Sequence, residues 1–312
     1  MIGSMDGAHG PDPLLLVIGR NGQIGWELMR ALQPLGQVRG LARMELDVTR
    51  HDEVAAALRT LRPDVVINAT GYTAVDRAEQ ASQAPQAWAV NAAAPAFLAE
   101  QCARTRTLYV HYSTDYVFPG TDPMPLAESA PTGPVNRYGS TKLEGDRAAL
   151  SSAGPHLVIR VGWVYSLRRH NFLRTLVRQA RAGMPLRVVD DQFGAPTPAD
   201  FIADVTAHLI ARRRARPDDR GLDGCVNVAC SGRTHWLGFA ETILDHLADQ
   251  PARREDLVLA RRPRIEPISS AALGLAAKRP AHSLLDITHL SRTWGLHAPR
   301  WDDALKRVLG DA

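Results

Sequence analysis

The sequence predicts an α/β protein: a Rossmann-type, doubly wound parallel sheet with a smaller, mostly helical C-terminal substrate domain. Three observations carry this expectation. Apolar runs of strand length alternate with segments of helical spacing through residues 14–165. The first run leads into a glycine turn and then an amphipathic helix, an order that gathers backbone N–H groups at a helix N-terminus. Further along, Tyr138 and Lys142 stand four residues apart in a segment that reads as helix, which puts them on one face.

Composition narrows the function classes. The chain has 312 residues, 45% hydrophobic and 22% charged, enough for one large α/β domain with a small companion. Its net charge of +4 is small and dispersed. The dense basic run Arg212-Arg213-Arg214, with Arg216, follows a predicted helix and suits the negative end of its dipole, so no nucleic-acid partner is expected. Cys102, Cys225 and Cys230 form no metal-ligand spacing and no even framework, which fits a reducing, cytoplasmic location. No apolar run reaches the ~18 residues that span a bilayer, so no membrane partner is expected. Residues 1–13 lack the basic and apolar regions of a secretory signal. With Gly3-Ser4-Met5 reading as a cloning scar before an alternative start, they are expected to be a disordered tail.

The elements follow in order. Leu14-Leu15-Leu16-Val17-Ile18 reads as a strand buried on both faces. It runs into Gly19-Arg20-Asn21-Gly22-Gln23-Ile24-Gly25, a GxxGxxG turn, and a helix is expected over 26–35. Gly19 suits a tight turn, Gly22 leaves room for a phosphate, and Gly25 allows the helix to pack closely. A second strand at 38–41 ends in Ala42-Arg43, with no carboxylate where an NAD enzyme carries one. Arg43 is suited to a 2′-phosphate, which favours NADPH. Asp47 is placed to touch the adenine or, like Thr49, to cap the helix that runs through Val54, Leu58 and Leu61.

A third strand over 63–68 ends in the small residues Ala69-Thr70-Gly71, which let backbone lie against a cofactor. Asn91 is expected to open a helix running to about 104, and a strand at 107–112 delivers Ser113 and Thr114 at the edge where open parallel sheets bind ligands. Beyond the Tyr138 helix, a strand at 157–161 ends at Gly162-Trp163-Val164-Tyr165. The cofactor domain is thus expected over 14–165 and the substrate domain over 166–312, with pieces near 187–230 free to rejoin the sheet. In that second part, helices are expected at 171–182, 200–212 and 236–247, strands at 186–189 and 225–229, and a loop at 190–197.

The chemistry centres on Tyr138. A free phenol ionises near ~10 and is a poor acid-base group at neutral pH. A fixed ammonium beside it, from Lys142, would favour the phenolate and bring the group into working range.

The glycine turn, Ser113-Thr114-Asp115 and Tyr138…Lys142 together make the chain similar to the extended short-chain dehydrogenases/reductases. Within that family it most resembles the reductases of dTDP-linked 4-keto sugars. Thr73-Ala74-Val75-Asp76, the run from His111 to Phe118, the run from Asp191 to Thr197, and Arg279-Pro280 extend the likeness over about 15–310. The resemblance implies hydride delivery from NADPH, with NADH left open, to the C4 ketone of a dTDP-sugar. Thr114, Tyr138 and Lys142 would be catalytic. Gly19, Asn21, Gly22, Gln23, Ile24, Gly25, Arg43, Asp47, Val48, Gly71, Tyr72 and Thr73 would join Tyr138 and Lys142 around the cofactor. Thr114, Asp115, Trp163 and Gln192 would contact the sugar nucleotide. Some members dimerise through Mg²⁺ on helix-borne carboxylates. Glu27 and Asp200 match two such positions, which leaves a homodimer and Mg²⁺ open. Three departures stand out: Asn68-Ala69-Thr70-Gly71 for a run of alanines, Gly162 for a serine, and Arg168-Arg169-His170 for a glycine-bearing turn expected near the substrate mouth.

Other readings share the fold. A dehydratase would carry a glutamate after Asp115, where this chain has Tyr116, and an epimerase would keep NAD tightly bound. A non-catalytic regulatory subunit of a methionine adenosyltransferase would use the cofactor fold as a binding module alone.

Overall fold

The structure, a computed structural model, describes residues 12–249, 255–259 and 261–310. Most of the expected tail, residues 1–11, lies outside them; the Pro13 carbonyl already accepts a hydrogen bond from the Gln37 amide at 2.9 Å.

Six strands form the central sheet: β1 Leu14–Ile18, β2 Gln37–Leu41, β3 Val65–Asn68, β4 Leu108–Thr114, β5 His156–Val161 and β6 Gly224–Asn227. Their spatial order is β6-β5-β4-β3-β1-β2, and every pairing is parallel. Alternation along β1 sends Leu15 and Val17 to one face and Leu16 and Ile18 to the other. Leu15 and Val17 pack with Leu28, Ile202, Leu209 and Leu290; Leu16 and Ile18 pack with Val54, Leu98, Tyr109 and Ala149. Helices thus cover both faces, which is why these strands read as continuous apolar runs rather than alternating ones. A further core joins Tyr165, Leu173, Leu176, Phe239, Ile243 and Leu305. It is built from helices Phe172–Arg181, Trp236–Asp249 and Trp301–Gly310. A two-stranded parallel pair, Leu186–Val189 with Ile265–Ile268, flanks it.

Several boundaries differ from the sequence expectation for identifiable reasons. The first helix begins earlier, at Gln23, and stops at Ala31; a 3₁₀ turn at Gln33–Leu35 takes over with Pro34 inside it. Asn91 does not open a helix. It sits in a π turn, Ala89–Ala93, between Ala84–Trp88 and Ala94–Thr105. Pro95 lacks the N–H that would bond the Asn91 carbonyl, and one wider turn absorbs the mismatch. The strand expected at 107–112 extends through Thr114, and the expected loop at 190–197 contains two short strands, Phe193–Gly194 and Thr197–Pro198. The basic run at the end of helix Ala199–Ala215 is consumed internally. Arg212 donates to the Trp294 carbonyl and Arg214 to that of Leu35, while buried Arg213 pairs with Asp223 at 2.8 Å.

The sheet core sets stability. Leu157 in β5 is fully buried, so Leu157→Ala should cost about 2–5 kcal/mol, read as a lower urea midpoint at unchanged slope. Met44 is 96% exposed, and Met44→Ala should stay within about 0.5 kcal/mol of wild type in the same measurement.

Candidate active site

Parallel strands that share a direction bring the turns after them to one edge. The glycine turn follows β1; Arg43, Asp47 and Val48 follow β2; Gly71, Tyr72 and Thr73 follow β3; Thr114 closes β4 ahead of Asp115; Trp163 follows β5. The spatial order reverses between β1 and β3, and a crevice at such a point is where sheets of this kind take ligands.

The glycine turn is built by close approach. Gly19 has φ +94°, and a Cβ on Gly25 would lie 2.2 Å from the Gly19 carbonyl oxygen. Gly22 caps helix Gln23–Ala31 without any side-chain bond, and the first turn carries no acid. The amides of Gln23 and Ile24 therefore face a site suited to an anion. The Gln23 side chain also ties this turn to a distant one, since its Oε1 accepts from Ser166 Oγ and Asn171 Nδ2, both at 2.8 Å. Asn21 is engaged through its carbonyl, which accepts from Arg169 Nε at 2.6 Å.

At the end of β2, Arg43 is 74% exposed and makes a long contact, 3.3 Å, with Asp47. Asp47 is held in an Asx turn by the Thr49 amide and hydroxyl, at 3.0 and 2.8 Å. Burial opposes its charge, but these bonds and Arg43 hold its carboxyl below the usual carboxylate range. Val48 is buried beside it. After β3, the Asn91 amide clasps Tyr72. It accepts from the Tyr72 amide at 2.8 Å and donates to the Tyr72 carbonyl at 3.1 Å, with a further bond to Thr141 at 3.1 Å. Gly71 and Thr73 flank this clasp, and a Cβ on Gly71 would sit in ordinary contact with both Thr73 and Asn91.

Tyr138 and Lys142 lie in helix Arg137–Leu150, whose N-cap Asn136 accepts from the Gly139 amide at 2.7 Å. Gly139 is required there, since a Cβ would stand 2.2 Å from the Tyr116 carbonyl oxygen. This approach brings Tyr138 edge-on to Tyr116, with ring centroids 5.7 Å apart. It also puts Tyr138 beside the Thr114 hydroxyl. Thr114 in turn donates to Asp115 Oδ1 at 2.9 Å.

Burial pushes the Tyr138 phenol above its ordinary value; Thr114 pulls it part of the way back, and Asp115 and Asp146 push it further. The Lys142 ammonium donates instead to the Tyr112 carbonyl. Burial lowers its pKa to about 8, with Asp146 opposing that fall. Burial is the largest influence on the phenol and holds it above its ordinary value. Burial likewise raises Asp115 to about 6, a shift that hydrogen bonds from Ser283 and Thr114 reverse only in part.

Trp163 has the left-handed φ of 50° and stacks on Trp236 with centroids 3.6 Å apart. Its Nε1 donates to Ser283 Oγ at 3.1 Å. Gln192 is buried and tied at both ends, to Ser270 at 2.8 Å and to Trp236 at 3.2 Å. Glu27 is paired with Arg30 and Asp200 with Arg307, at 3.5 and 2.7 Å. Among the described residues no three acids, histidines or cysteines gather as a metal site. The Arg168-Arg169 turn is placed by two contacts. It lies against the glycine turn, because Arg169 reaches Asn21 and Arg168 lies over the Trp26 ring at 3.9 Å.

Four residues that sequence reasoning passed over hold the site. Asn136 was legible as a cap two residues ahead of Tyr138. Asn91, Asp146 and Arg279 act across the fold, so neither the helix start expected at Asn91 nor the Arg279-Pro280 stretch told what they hold. Arg279 grips Asp76 through both guanidinium ends, at 2.9 and 2.5 Å, and so fixes its own segment beside Tyr116.

The family model described as RmlD substrate binding domain matches residues 14–312. A dTDP-4-dehydrorhamnose reductase of Burkholderia thailandensis is 43% identical over 298 residues, covering 95% of this chain and 98% of that protein. A protein of the same name from Salmonella typhimurium is 37% identical, covering 95% and 96%. Among solved structures, the dTDP-4-dehydrorhamnose reductase of Bacillus anthracis in complex with NADP superposes with a TM-score of 0.85 at 26% identity, covering 96% of this chain and all of that one.

The buried carboxyl beside Thr114 gives a pH test. Asp115 is 2% exposed with its pKa raised from 3.8 to about 6. Below both values folded and unfolded states carry the same proton and the group is neutral to stability. As pH rises from 3.8 to about 6 the unfolded state ionises first, so stability is lost across that window and stays lost above it. Asp115→Asn should therefore be more stable than wild type by roughly 2–3 kcal/mol at neutral pH, and the gap should close by about pH 4, in urea unfolding followed against pH.

Proposed function

This chain belongs to the dTDP-4-dehydrorhamnose reductase family, and on that premise we propose that Thr114, Tyr138 and Lys142 carry its chemistry. It is an NADP-dependent oxidoreductase that reduces the C4 ketone of dTDP-4-dehydro-6-deoxy-L-mannose to dTDP-L-rhamnose. One observation supports the residue assignment above the others: the Tyr138 phenol stands beside the Thr114 hydroxyl at the ligand edge of the sheet.

The residues present fit the dinucleotide. Gly22 adds no side chain over the first turn of the helix, and that turn has neither a side-chain cap nor an acid. The Gln23 and Ile24 amides would hold the pyrophosphate, Arg43 the 2′-phosphate, Asp47 and Val48 the adenine side, and Gly71, Tyr72 and Thr73 the floor. NADPH supplies the hydride for C4 when bound. Tyr138 gives its phenolic proton to the oxygen at C4 as negative charge builds there, and Thr114 Oγ1 donates to the same oxygen by turning its one proton away from Asp115. A phenol that holds its proton at rest is suited to a reductase, because an alkoxide is far more basic than a phenolate. Lys142 carries positive charge close by, kept in place by the Tyr112 carbonyl and Asp146, and is available to the nicotinamide ribose.

Asp115, Trp163 and Gln192 would shape the sugar side, with a substrate domain proposed over 166–312 apart from β6 and helix Ala199–Ala215, which pack with the central sheet. A cytoplasmic location fits three free cysteines, and no described helix is long and apolar enough to cross a membrane. A homodimer bridged by Mg²⁺ at Glu27 and Asp200 would have to displace Arg30 and Arg307, and no step is routed through it. The dehydratase reading lacks its acid: Tyr116, not a carboxylate, faces Tyr138.

Two measurements test this reading. Mixed with NADPH and the 4-keto sugar nucleotide, wild type should oxidise NADPH stoichiometrically, followed by absorbance. Tyr138→Phe should lose about 10²–10⁴-fold in kcat while still binding NADPH; wild-type turnover would remove Tyr138 as proton donor. Arg43→Ala should weaken NADPH about tenfold or more and leave NADH nearly unchanged, by calorimetry; an equal effect on both would remove the 2′-phosphate contact.

A further inference from the structure

A cavity of about 410 Å³ opens beside the glycine turn, lined by Asn21, Gly22, Trp26, Leu167, Arg168, Arg169 and Arg174. Three of these seven are arginines and none is acidic, so the cavity selects for negative charge. The arginines are not equivalent. Arg174 is committed to Asp256 at 2.5 Å and to the Leu167 carbonyl at 3.2 Å. Arg168 and Arg169 have no carboxylate within ion-pair distance among the described residues, and both are exposed. Each is nonetheless held. The Arg168 guanidinium lies 3.9 Å over the Trp26 ring, a stacking that fixes its plane. Arg169 gives Nε to the Asn21 carbonyl at 2.6 Å, which leaves its terminal nitrogens to donate elsewhere. The turn itself is anchored to the glycine motif twice more, by Ser166 and Asn171 on Gln23. Arg169 adopts the left-handed φ of 61°, a conformation that costs a non-glycine residue and persists only where surrounding contacts impose it.

We propose that Arg168 and Arg169 form a second wall to the glycine turn, a guanidinium clamp that closes on the diphosphate of the bound dinucleotide. The inference rests on the cofactor reading above and extends it to a loop outside the cofactor strands. Opposite the clamp, helix Gln23–Ala31 presents uncapped amides to the same anion. A diphosphate has enough oxygens for both walls at once. Binding then ties residues 166–171 to the glycine turn, so the dinucleotide becomes part of the joint between the two cores.

Calorimetry on the full chain tests this with NADPH, NADH and dTDP as separate probes. NADPH and NADH share a diphosphate and differ only at the 2′ position. Arg169→Ala, and more strongly Arg168→Ala/Arg169→Ala, should weaken both by the same factor, roughly ten- to hundredfold, and should flatten the salt dependence of binding. Arg169→Lys should recover part of the loss. Circular dichroism should match wild type, since both side chains are exposed. Unchanged dinucleotide affinity in the double variant overturns the clamp. So does weakened dTDP with unchanged dinucleotide, which would assign the arginines to the sugar nucleotide's diphosphate, and so does a loss confined to NADPH, which would assign them to the 2′-phosphate. A wild-type chain that binds neither dinucleotide would remove the cofactor reading and the clamp with it; a wild type that binds beside an unaffected variant removes the clamp alone.

Discussion

Asp146 lies fully buried in the helix that carries Tyr138 and Lys142, and three side chains from two strands converge on its carboxylate. Ser113 Oγ in β4 donates at 2.6 Å, Arg160 Nε in β5 approaches at 3.4 Å, and His111 Nε2 in β4 stands 3.5 Å away. Burial alone would protonate this acid; the neighbours reverse that and hold its carboxyl below the usual carboxylate range. His111 is driven the other way, to about 4, by burial and by Lys142, so it is neutral. A buried carboxylate paired in this manner pins the helix to two strands at once, and removing a partner would strand a charge in the interior. Tyr138 and Lys142 inherit their positions from that anchor.

The same anchor shapes the reactivity of the site. Asp146 opposes the loss of charge on Lys142 and adds to the upward push on the Tyr138 phenol. One buried anion therefore favours a charged lysine and a protonated tyrosine together. Those are the states the proposed roles of Lys142 and Tyr138 require at the start of a ketone reduction. The expected Tyr–Lys pairing describes only two members of a larger set. Thr114, Asp115 and Asp146 act on the phenol as well, and Lys142 bonds the Tyr112 carbonyl directly.

Much of the molecule outside the sheet serves to close its ligand edge. Arg279 grips Asp76, Asn136 Nδ2 holds the Lys278 carbonyl at 2.8 Å, and Ser283 reaches Trp163. The 166–171 turn bonds the glycine motif from another direction. The crevice is bounded by contacts between residues far apart in the chain. Two of these joints rest on a single hydrogen bond, the grip on Asp76 is a two-pronged ion pair, and the 166–171 turn is held by three side chains, so ligand groups can add to them or compete with them.

Strand runs, the glycine turn and the Tyr–Lys spacing were legible because each is a local pattern: burial on both faces, a positive φ, a helical repeat of 3.6. The alternation of strands and helices was enough for a parallel, helix-covered sheet, and the residues following each strand were enough to name the ligand edge. Only the folded chain decided which polar groups face one another. Asn91 acts through a π turn imposed by Pro95, the second arginine of the 212–214 run is a buried lock, and Asp146 meets partners 14 to 35 residues away. The phenol's protonation was likewise beyond sequence, since it depends on how much water is excluded around a ring and which charges remain. Spacing along a chain determines which side chains share a face; desolvation and the company kept across the sheet are properties of the packed molecule alone.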